Sequence, residues 1–517
     1  MNVSDVSSSL SSRRASASER DGRSTQTTDD VVVVSNRQPY RHEYDDEGGI
    51  NVSRPTGGLT SALDAAMRER NGTWIAWGDG SADRDVVDDD GHVTVPPDEE
   101  KEEGTYTLNR VWLSEEQVEN YYLGFSNRVL WPVCHSMLMN VHSEAAYWQD
   151  YEAVNDQFVD NVARHVGEST IVWFQDYHLS LAPRMLESRV PDGAFLAHFW
   201  HIPWPGWDMF RACPHGEDII SGLLGNDLLG FHVPRYGENF MECVEQTFPD
   251  AEVDRDAAEI TFRGKTTTIE AFPLGVSVDT IRTGAKSEAA ESFWAEFADE
   301  HHLNEKRVSV GVDRLDYTKG IPERFEALER LWEDSPEWRG SLTHVQIGSK
   351  SRSEIEEYMD IQTEVEEEAA RINERFGTDE WEPIVYTTAH LSDEALYGAY
   401  THSDIALISP LRDGMNLVAQ EYVAAQGDDG DGVLLLSDQT GAHDYMGEWT
   451  VTVRPQNTDE FASAIDDALR MPASERRERM RELRNRVEDA DVSRWMHSIF
   501  ETVATMRNAG TEGSDDE

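Results

Sequence analysis

Lysine is nearly missing from this chain. Among 517 residues there are six, Lys101, Lys265, Lys286, Lys306, Lys319 and Lys350. Lys and Arg together reach 45 against 100 Asp and Glu, a formal net charge of −55. Such a surface excludes nonspecific nucleic-acid binding as the main activity, because phosphate contacts need a basic face. Cysteine is scarce as well. Cys134, Cys213 and Cys243 stand without CxxC spacing, which leaves neither a disulfide framework nor a zinc site. They read as buried thiols in a reducing cytoplasm. No apolar stretch approaches a membrane span, and the N-terminus lacks the apolar core of a signal peptide.

What is present points to folded domains. The 15 Trp, 16 Tyr and 17 Phe are spread along the chain, unlike the composition of a disordered acidic polymer. The distributed acidity resembles the proteins of salt-in halophiles, whose carboxylate surfaces stay solvated at molar salt. The length exceeds a single hydrophobic core and calls for two or more domains. Short apolar runs read as strands at Val31–Ser35, Thr73–Trp77, Thr170–Phe174, Phe195–Phe199 and Asp227–His232, and again at Val308–Val312, Thr343–Ile347, Ile384–Thr387, Asp404–Ser409 and Val433–Ser437. Helical patterns lie between most of them, for example Glu144–Val166, Pro322–Trp332, Ser353–Phe376, Leu417–Gln426 and Asp459–Met471. This alternation implies an α/β chain with two doubly wound parallel sheets and a cleft between them. The expected division is a disordered tail over 1–29, a first domain over 30–275, and a second over 276–490. A last helix over 491–509 crosses back to the first domain, and an acidic tail covers 510–517. The boundary falls near Pro273-Leu274-Gly275-Val276, after a hairpin at Ile260–Ala271.

Chemistry in such folds gathers just after the strands. Candidate segments are Val34-Ser35-Asn36-Arg37 with Thr56-Gly57-Gly58-Leu59, then Gln175-Asp176-Tyr177-His178, and His198 through Pro205. His198 and His201 have metal-ligand types, but positions three apart on a strand face opposite ways. The runs Asp88-Asp89-Asp90 and Asp428–Asp431 read as solvated surface in so acidic a chain. In the second domain, Asp313 to Gly320 places Arg314 and Lys319 at a strand end. Lys319 beside Gly320 suits a point charge against a diphosphate, and Arg314 adds a planar fork. The stretch Arg412-Asp413-Gly414-Met415-Asn416 leads from a buried strand into a helix, offering free N–H groups where anions bind. An ordinary strand-to-helix loop and a surface ion pair are the plain alternatives for each segment alone.

Taken in order, SNR at Ser35–Arg37, TGGL at Thr56–Leu59, YYLGFSNRVLWP at Tyr121–Pro132, DYHL at Asp176–Leu179, HIPWP at His201–Pro205, DRLDYTKG at Asp313–Gly320, SRS at Ser351–Ser353 and RDGMNLVAQEYVAAQ at Arg412–Gln426 resemble the trehalose-6-phosphate synthases, retaining glycosyltransferases of the GT-B fold. The resemblance runs from about Val31 to about Met506. It implies two Rossmann-like domains, with acceptor groups on the first and nucleotide-sugar donor groups on the second. By the same resemblance Arg314 and Lys319 hold the donor diphosphate, and Gly58 belongs to a loop over it. Asp413 holds the transferred glucose, with Asn416 and Leu417 presenting N–H groups; Glu421 takes the ribose, and backbone near Leu391 reads the base. His201 belongs near the reacting centre and Asp176 at the acceptor hydroxyls. Arg37, Tyr122, Trp131 and Arg352 hold the acceptor phosphate. The implied substrates are a nucleotide-diphosphate glucose, UDP-glucose before GDP- or ADP-glucose, and glucose 6-phosphate. No metal and no other cofactor is implied, nor a nucleic-acid or membrane partner. The implied location is the cytoplasm, and a homo-oligomer is compatible with the sequence.

Two departures stand out: Trp204 where the family often has Phe, and Gln420 where it often has Lys, which removes a positive charge near the nucleotide. Alternative readings are a glucosylglycerol-phosphate synthase, which shares the fold and most donor residues, and an inactive sugar-phosphate sensor. A pyridoxal-phosphate phosphorylase is remote, because phosphate binding already accounts for Lys319.

The charge yields a prediction independent of the activity. Self-repulsion is long-ranged at ~0.01 M salt and nearly abolished at ~1 M, where the Debye length falls to about 3 Å. The thermal unfolding midpoint rises between those two KCl concentrations. An unchanged midpoint contradicts the halophilic reading of the composition.

Overall fold

The computed structural model describes residues 30–54, 58–70, 72–97, 104–428 and 430–514. The expected tail over 1–29, Thr56 and Gly57 of the glycine segment, and the last three residues lie outside them. Among the described residues, no helix is long and apolar enough to cross a membrane.

Two sheets carry the chain, one of ten strands and one of six. In the first, seven parallel strands run in the order Lys265–Ala271, Leu228–Phe231, Phe195–Trp200, Ile171–Gln175, Val31–Ser35, Thr73–Trp77 and Tyr106–Val111. Antiparallel strands finish both edges: Glu259–Phe262 and Glu252–Asp254 on one side, His92–Val95 on the other. The second sheet is parallel throughout, in the order Ile384–Thr387, Leu342–Ser349, Arg307–Arg314, Ile405–Ile408, Val433–Ser437 and Val451–Val453. Helices cover both faces, so the central strands read as unbroken apolar runs; Val31 to Val34 are all buried.

The chain reverses its direction of sheet growth once in each domain. In the first, the reversal lies between Val31–Ser35 and Ile171–Gln175; in the second, between Arg307–Arg314 and Ile405–Ile408. At such a reversal, adjacent crossovers leave on opposite faces and open a crevice at the strands' carboxyl ends. Ser35-Asn36-Arg37, Asp176, Arg314 and Ser409 therefore stand at two facing crevices.

Several strands differ from their expected bounds. Arg307–Arg314 and Leu342–Ser349 extend past their apolar portions, with Asp313 paired to Gly348 and Arg314 to Ser349. Hydrophobic pattern ends where the strand turns polar, while backbone pairing continues to the edge of the crevice. A small hairpin, Arg41–Tyr44 with Ile50–Ser53, has strands of four residues whose apolar members, Tyr44, Ile50 and Val52, share one exposed face, too short a pattern to signal a strand.

Two segments connect the domains side by side. Val492 N–H donates to the Val276 carbonyl (3.3 Å), and Val278 N–H to Asp491 Oδ2 (3.3 Å). At Gly275 a Cβ would lie 1.5 Å from the Ala490 carbonyl oxygen, so only glycine lets the two backbones meet. The final helix, Val492–Ser514, then lies on the first sheet. Trp495, Ile499 and Val503 are buried in one cluster with Val31, Val33, Trp173 and Phe199. The helix continues to Ser514, past the expected end at 509. No proline lies in its last turns to interrupt the ladder.

Candidate active site

The donor side is built from two turns of the second sheet. Lys319 follows the strand Arg307–Arg314 and is largely buried; its Nζ lies 2.6 Å from Asp413 Oδ2. Asn416 Nδ2 donates to the same oxygen at 3.1 Å. Asn416 adopts φ +80° and caps the helix Leu417–Ala425, its Oδ1 accepting from Ala419 N–H at 3.1 Å. An asparagine tolerates this left-handed backbone and closes the turn with its own side chain. Burial disfavours the charged form of Asp413, but the Lys319 charge and hydrogen bond win and hold its pKa below the usual carboxylate value. The turn is pressed against the first domain. A Cβ on Gly414 would lie 2.2 Å from the His201 carbonyl oxygen.

One turn further along, Glu421 accepts a hydrogen bond from the Tyr400 hydroxyl (3.1 Å). Burial raises its pKa to about 7, with the Tyr400 bond opposing. Beneath the crevice, buried Arg324 bonds Asp313 Oδ2 (2.7 Å), Gln346 Oε1 (2.7 Å) and Ser409 Oγ (3.0 Å), tying three neighbouring strands together. Leu417 touches the cores of both domains, and Leu391 is half-buried against the cluster that includes Val345, Ile347 and Val385. Gly58 opens the helix Gly58–Arg70.

Gln420 corrects the expectation of an altered charge near the nucleotide. Its side chain is fully buried, and its Nε2 donates to the Leu274 carbonyl in the domain connection at 3.0 Å. Successive helix positions point about 100° apart, so Gln420 faces the connection while Glu421 faces Tyr400. Trp204 is buried and stacks against Phe210 with ring centroids 4.5 Å apart, an aromatic packing role.

The acceptor side crosses the domain boundary. Arg352, after the second-domain strand Leu342–Ser349, holds φ +49° and reaches into the first domain. Its guanidinium carbon lies 4.2 Å from the Trp131 ring centroid, and its Nη2 donates to the Tyr177 hydroxyl at 3.2 Å. Tyr358 of its own domain takes a further bond from Nη1, and Asp316 Oδ2 lies 3.6 Å away. Arg314 adds a second cation over Trp131, 5.4 Å from its centroid. Trp131 follows a π-helical segment, Val118–Leu130, which carries Tyr122. Burial opposes ionisation of Tyr122, but the charges of Arg352 and Arg37, and their hydrogen bonds to its hydroxyl, bring its pKa down to about 8. Arg37 and Arg352, from different domains, thus converge on one phenol.

Asp176 holds φ +67° at the end of its strand, and its Oδ1 accepts from His201 N–H at 3.3 Å. Burial raises its pKa to about 6; N–H donors from Tyr177 and His201 and the Arg352 and Arg37 charges oppose that rise. His201 Nε2 contacts Gln175 Oε1 at 2.9 Å. Its pKa is pushed well below the usual histidine value by burial, with His232, His198 and His178 adding to the effect. His201 is therefore neutral here. His198 turns away and contacts the Asp176 carbonyl at 2.9 Å. Among the described residues, no group of three or more His, Cys, Asp or Glu is placed to hold a metal.

Sequence reasoning missed Tyr177, Tyr358 and Asp316, which surround the Arg352 guanidinium. Tyr177 and Asp316 stood inside quoted motifs, so position was the available signal. Tyr358 lies on a helix whose amphipathic pattern explains it as core.

Two doubly wound domains, with cations and N–H groups at the facing reversal points of both sheets, define a glycosyltransferase of the GT-B fold. The chain belongs to glycosyltransferase family 20, whose family model matches residues 29–505. It is 36% identical over 487 residues to the trehalose-6-phosphate synthase of Mycobacterium sp. (strain KMS), covering 92% of this chain and 96% of the relative. An E. coli trehalose-6-phosphate structure bound with UDP-2-fluoro glucose is similar at 32% identity and a TM-score of 0.80, covering 91% of this chain and 98% of that one. The α,α-trehalose-phosphate synthase (UDP-forming) of Burkholderia xenovorans, in complex with glucose-6-phosphate, is similar at 29% identity and a TM-score of 0.81, covering 92% of this chain and 100% of that one.

Glu421 supplies a test of the site's electrostatics. A carboxyl whose folded-state pKa stands above its unfolded value binds its proton more tightly when folded. Its stabilising contribution is complete below pH 4.5 and is lost as pH rises to about 7. Glu421→Gln removes that titration and keeps an acceptor for Tyr400. In urea unfolding without substrates, the variant gains stability relative to the wild type between pH 5 and pH 8. A difference constant across that range shows that Glu421 titrates normally.

Proposed function

We propose that this protein transfers glucose from UDP-glucose to glucose 6-phosphate, giving α,α-trehalose 6-phosphate and UDP with retention at the transferred carbon. The observation that carries this reading is the convergence of Arg37, Tyr122 and Arg352 from two domains, facing the Lys319–Asp413–Asn416 turn across one cleft. The first cluster fits a sugar phosphate, and the second fits a sugar joined to a diphosphate. On this reading residues 30–275 form the acceptor-side domain and 276–490 the donor-side domain, with 491–509 returning to the first. The UDP-forming relatives favour UDP-glucose over the GDP and ADP forms. The cytoplasm suits the three buried free thiols.

In the reaction, the bond between glucose C1 and the donor phosphate oxygen breaks, and its electron pair leaves on that oxygen. The anomeric oxygen of glucose 6-phosphate bonds to C1 on the same face, and its proton passes to the departing phosphate oxygen. The transition state is oxocarbenium-like, with negative charge growing on the phosphate. Arg314, Lys319 and the N–H groups of Asn416 and Leu417 oppose that charge. The Lys319–Asp413 contact holds the ammonium in place beforehand, leaving Asp413 Oδ1 for sugar hydroxyls. Asp176 accepts from acceptor hydroxyls, and neutral His201 borders the transferred glucose. No protein nucleophile is required, and the cationic side chains do what a divalent ion does in other transferases.

The test is product analysis in ~1 M KCl, where repulsion is screened, with UDP-glucose and either glucose 6-phosphate or glycerol 3-phosphate. Trehalose 6-phosphate forms, with full rate in EDTA, and Lys319→Ala lowers kcat by roughly 10²-fold or more, the scale of losing a charge-stabilising donor. Product from glycerol 3-phosphate alone favours a glucosylglycerol-phosphate synthase. Binding without turnover marks a sensor, and a strict metal requirement overturns the metal-free step.

A further inference from the structure

The Asp413 turn is anchored mostly within its own domain. Its carboxylate meets Lys319 and Asn416, and its N–H donates to the Gln439 carbonyl at 3.1 Å. Its carbonyl points the other way. That oxygen accepts from the hydroxyl of Tyr236 at 3.0 Å, and Tyr236 belongs to the first-domain helix Pro234–Thr247. Tyr236 is fully buried, and a phenol has one proton to give. Burial raises its pKa, so the proton stays on. Its neighbour Arg235 makes a parallel grip. Nη2 donates to the Thr440 carbonyl at 3.0 Å, and Nη1 lies 3.2 Å from Asp444 Oδ1. Thr440 is bridged to Asp413 by backbone pairing, so both contacts hold one strip of the second domain.

We propose that Tyr236 is a positioning residue, with Arg235 as its partner: together they fix the Asp413 turn against the first domain and so set the transferred glucose against His201 and the acceptor. The proposal rests on the transfer reaction given under Proposed function. Most of the donor's charged contacts, Arg314, Lys319, Asp413 and Glu421, are second-domain groups, so donor binding largely survives loss of these contacts. The alignment of donor with acceptor does not. A misplacement of the reacting atoms lowers turnover more than affinity.

The test uses the full chain in ~1 M KCl, where repulsion is screened, as wild type, Tyr236→Phe, Arg235→Gln and the double variant. Tyr236→Phe removes one hydrogen bond and keeps the ring. The expected result is a roughly three- to tenfold fall in kcat, the scale of one hydrogen bond. The dissociation constant for UDP-glucose without acceptor stays within about twofold, below the change one hydrogen bond makes, and the melting temperature falls by no more than about 2–4 °C, the scale of that one bond. The double variant loses less than the product of the two single losses, because both break the same junction. An unchanged kcat in Tyr236→Phe overturns the proposal, as does a weakened donor affinity accompanied by a larger fall in melting temperature, which marks a packing role. If the wild type itself forms no trehalose 6-phosphate, the functional reading fails first. Small-angle scattering then decides the latch without turnover: a larger radius of gyration in the double variant supports it, and an equal one overturns it.

Discussion

Arg352 is the point at which two domains become one site. Its charge is carried into a nearly closed space, where an unpaired guanidinium is costly. It is compensated by an aromatic face, by hydroxyls and by the buried carboxylate of Asp316. Trp131 lies 4.2 Å below it, Tyr177 accepts at 3.2 Å, and Asp316 remains 3.6 Å away. The guanidiniums of Arg37 and Arg314 close by add the positive charge that favours an anion. The left-handed backbone of Arg352 is the local strain that directs the side chain across the boundary, and strain of this kind concentrates at functional sites. The lowered pKa of Tyr122 between Arg352 and Arg37 follows from its presence, and the same charge opposes the rise that burial imposes on the Asp176 carboxyl.

The rest of the electrostatics divides into two populations. On the surface, arginines pair with the abundant carboxylates, as Arg371 does with Glu329 and Glu368. Such exposed pairs contribute about 0–1 kcal/mol each and are screened further by salt. In the cleft Lys319 and Arg352 are held by the buried carboxylates of Asp413 and Asp316 together with neutral partners, and they are shielded from bulk ions. A chain with −55 formal charge thus keeps a site for anions by separating its few directed cations from the acidic surface.

Much of the fold was legible because parallel strands buried on both faces leave unbroken apolar runs, as in Val31–Ser35 and Val433–Ser437. The hairpin Arg41–Tyr44 with Ile50–Ser53 was not, since its strands are four residues long and its apolar residues Tyr44, Ile50 and Val52 stay exposed rather than forming a buried run. The donor turns were legible as strand-end motifs; Lys319 and Asp413 carry recognisable local chemistry. Their meeting was not, because it depends on the order of strands in the sheet. Contacts between domains, such as Tyr236 with Asp413, join residues far apart in sequence and leave no local signature. Gln420 shows the converse: a departure read as a change at the nucleotide turns out to face the domain connection.

The central claim is that Arg37, Tyr122 and Arg352 form a phosphate site assembled from both domains. It is tested most directly by titrating the wild-type protein, with UDP present, with glucose 6-phosphate and with glucose in ~1 M KCl, a salt level that screens surface attraction but reaches a buried guanidinium far less. The account predicts that glucose 6-phosphate binds at least roughly tenfold more tightly, the scale of one charge-assisted hydrogen bond. Equal affinity for the two sugars would contradict it.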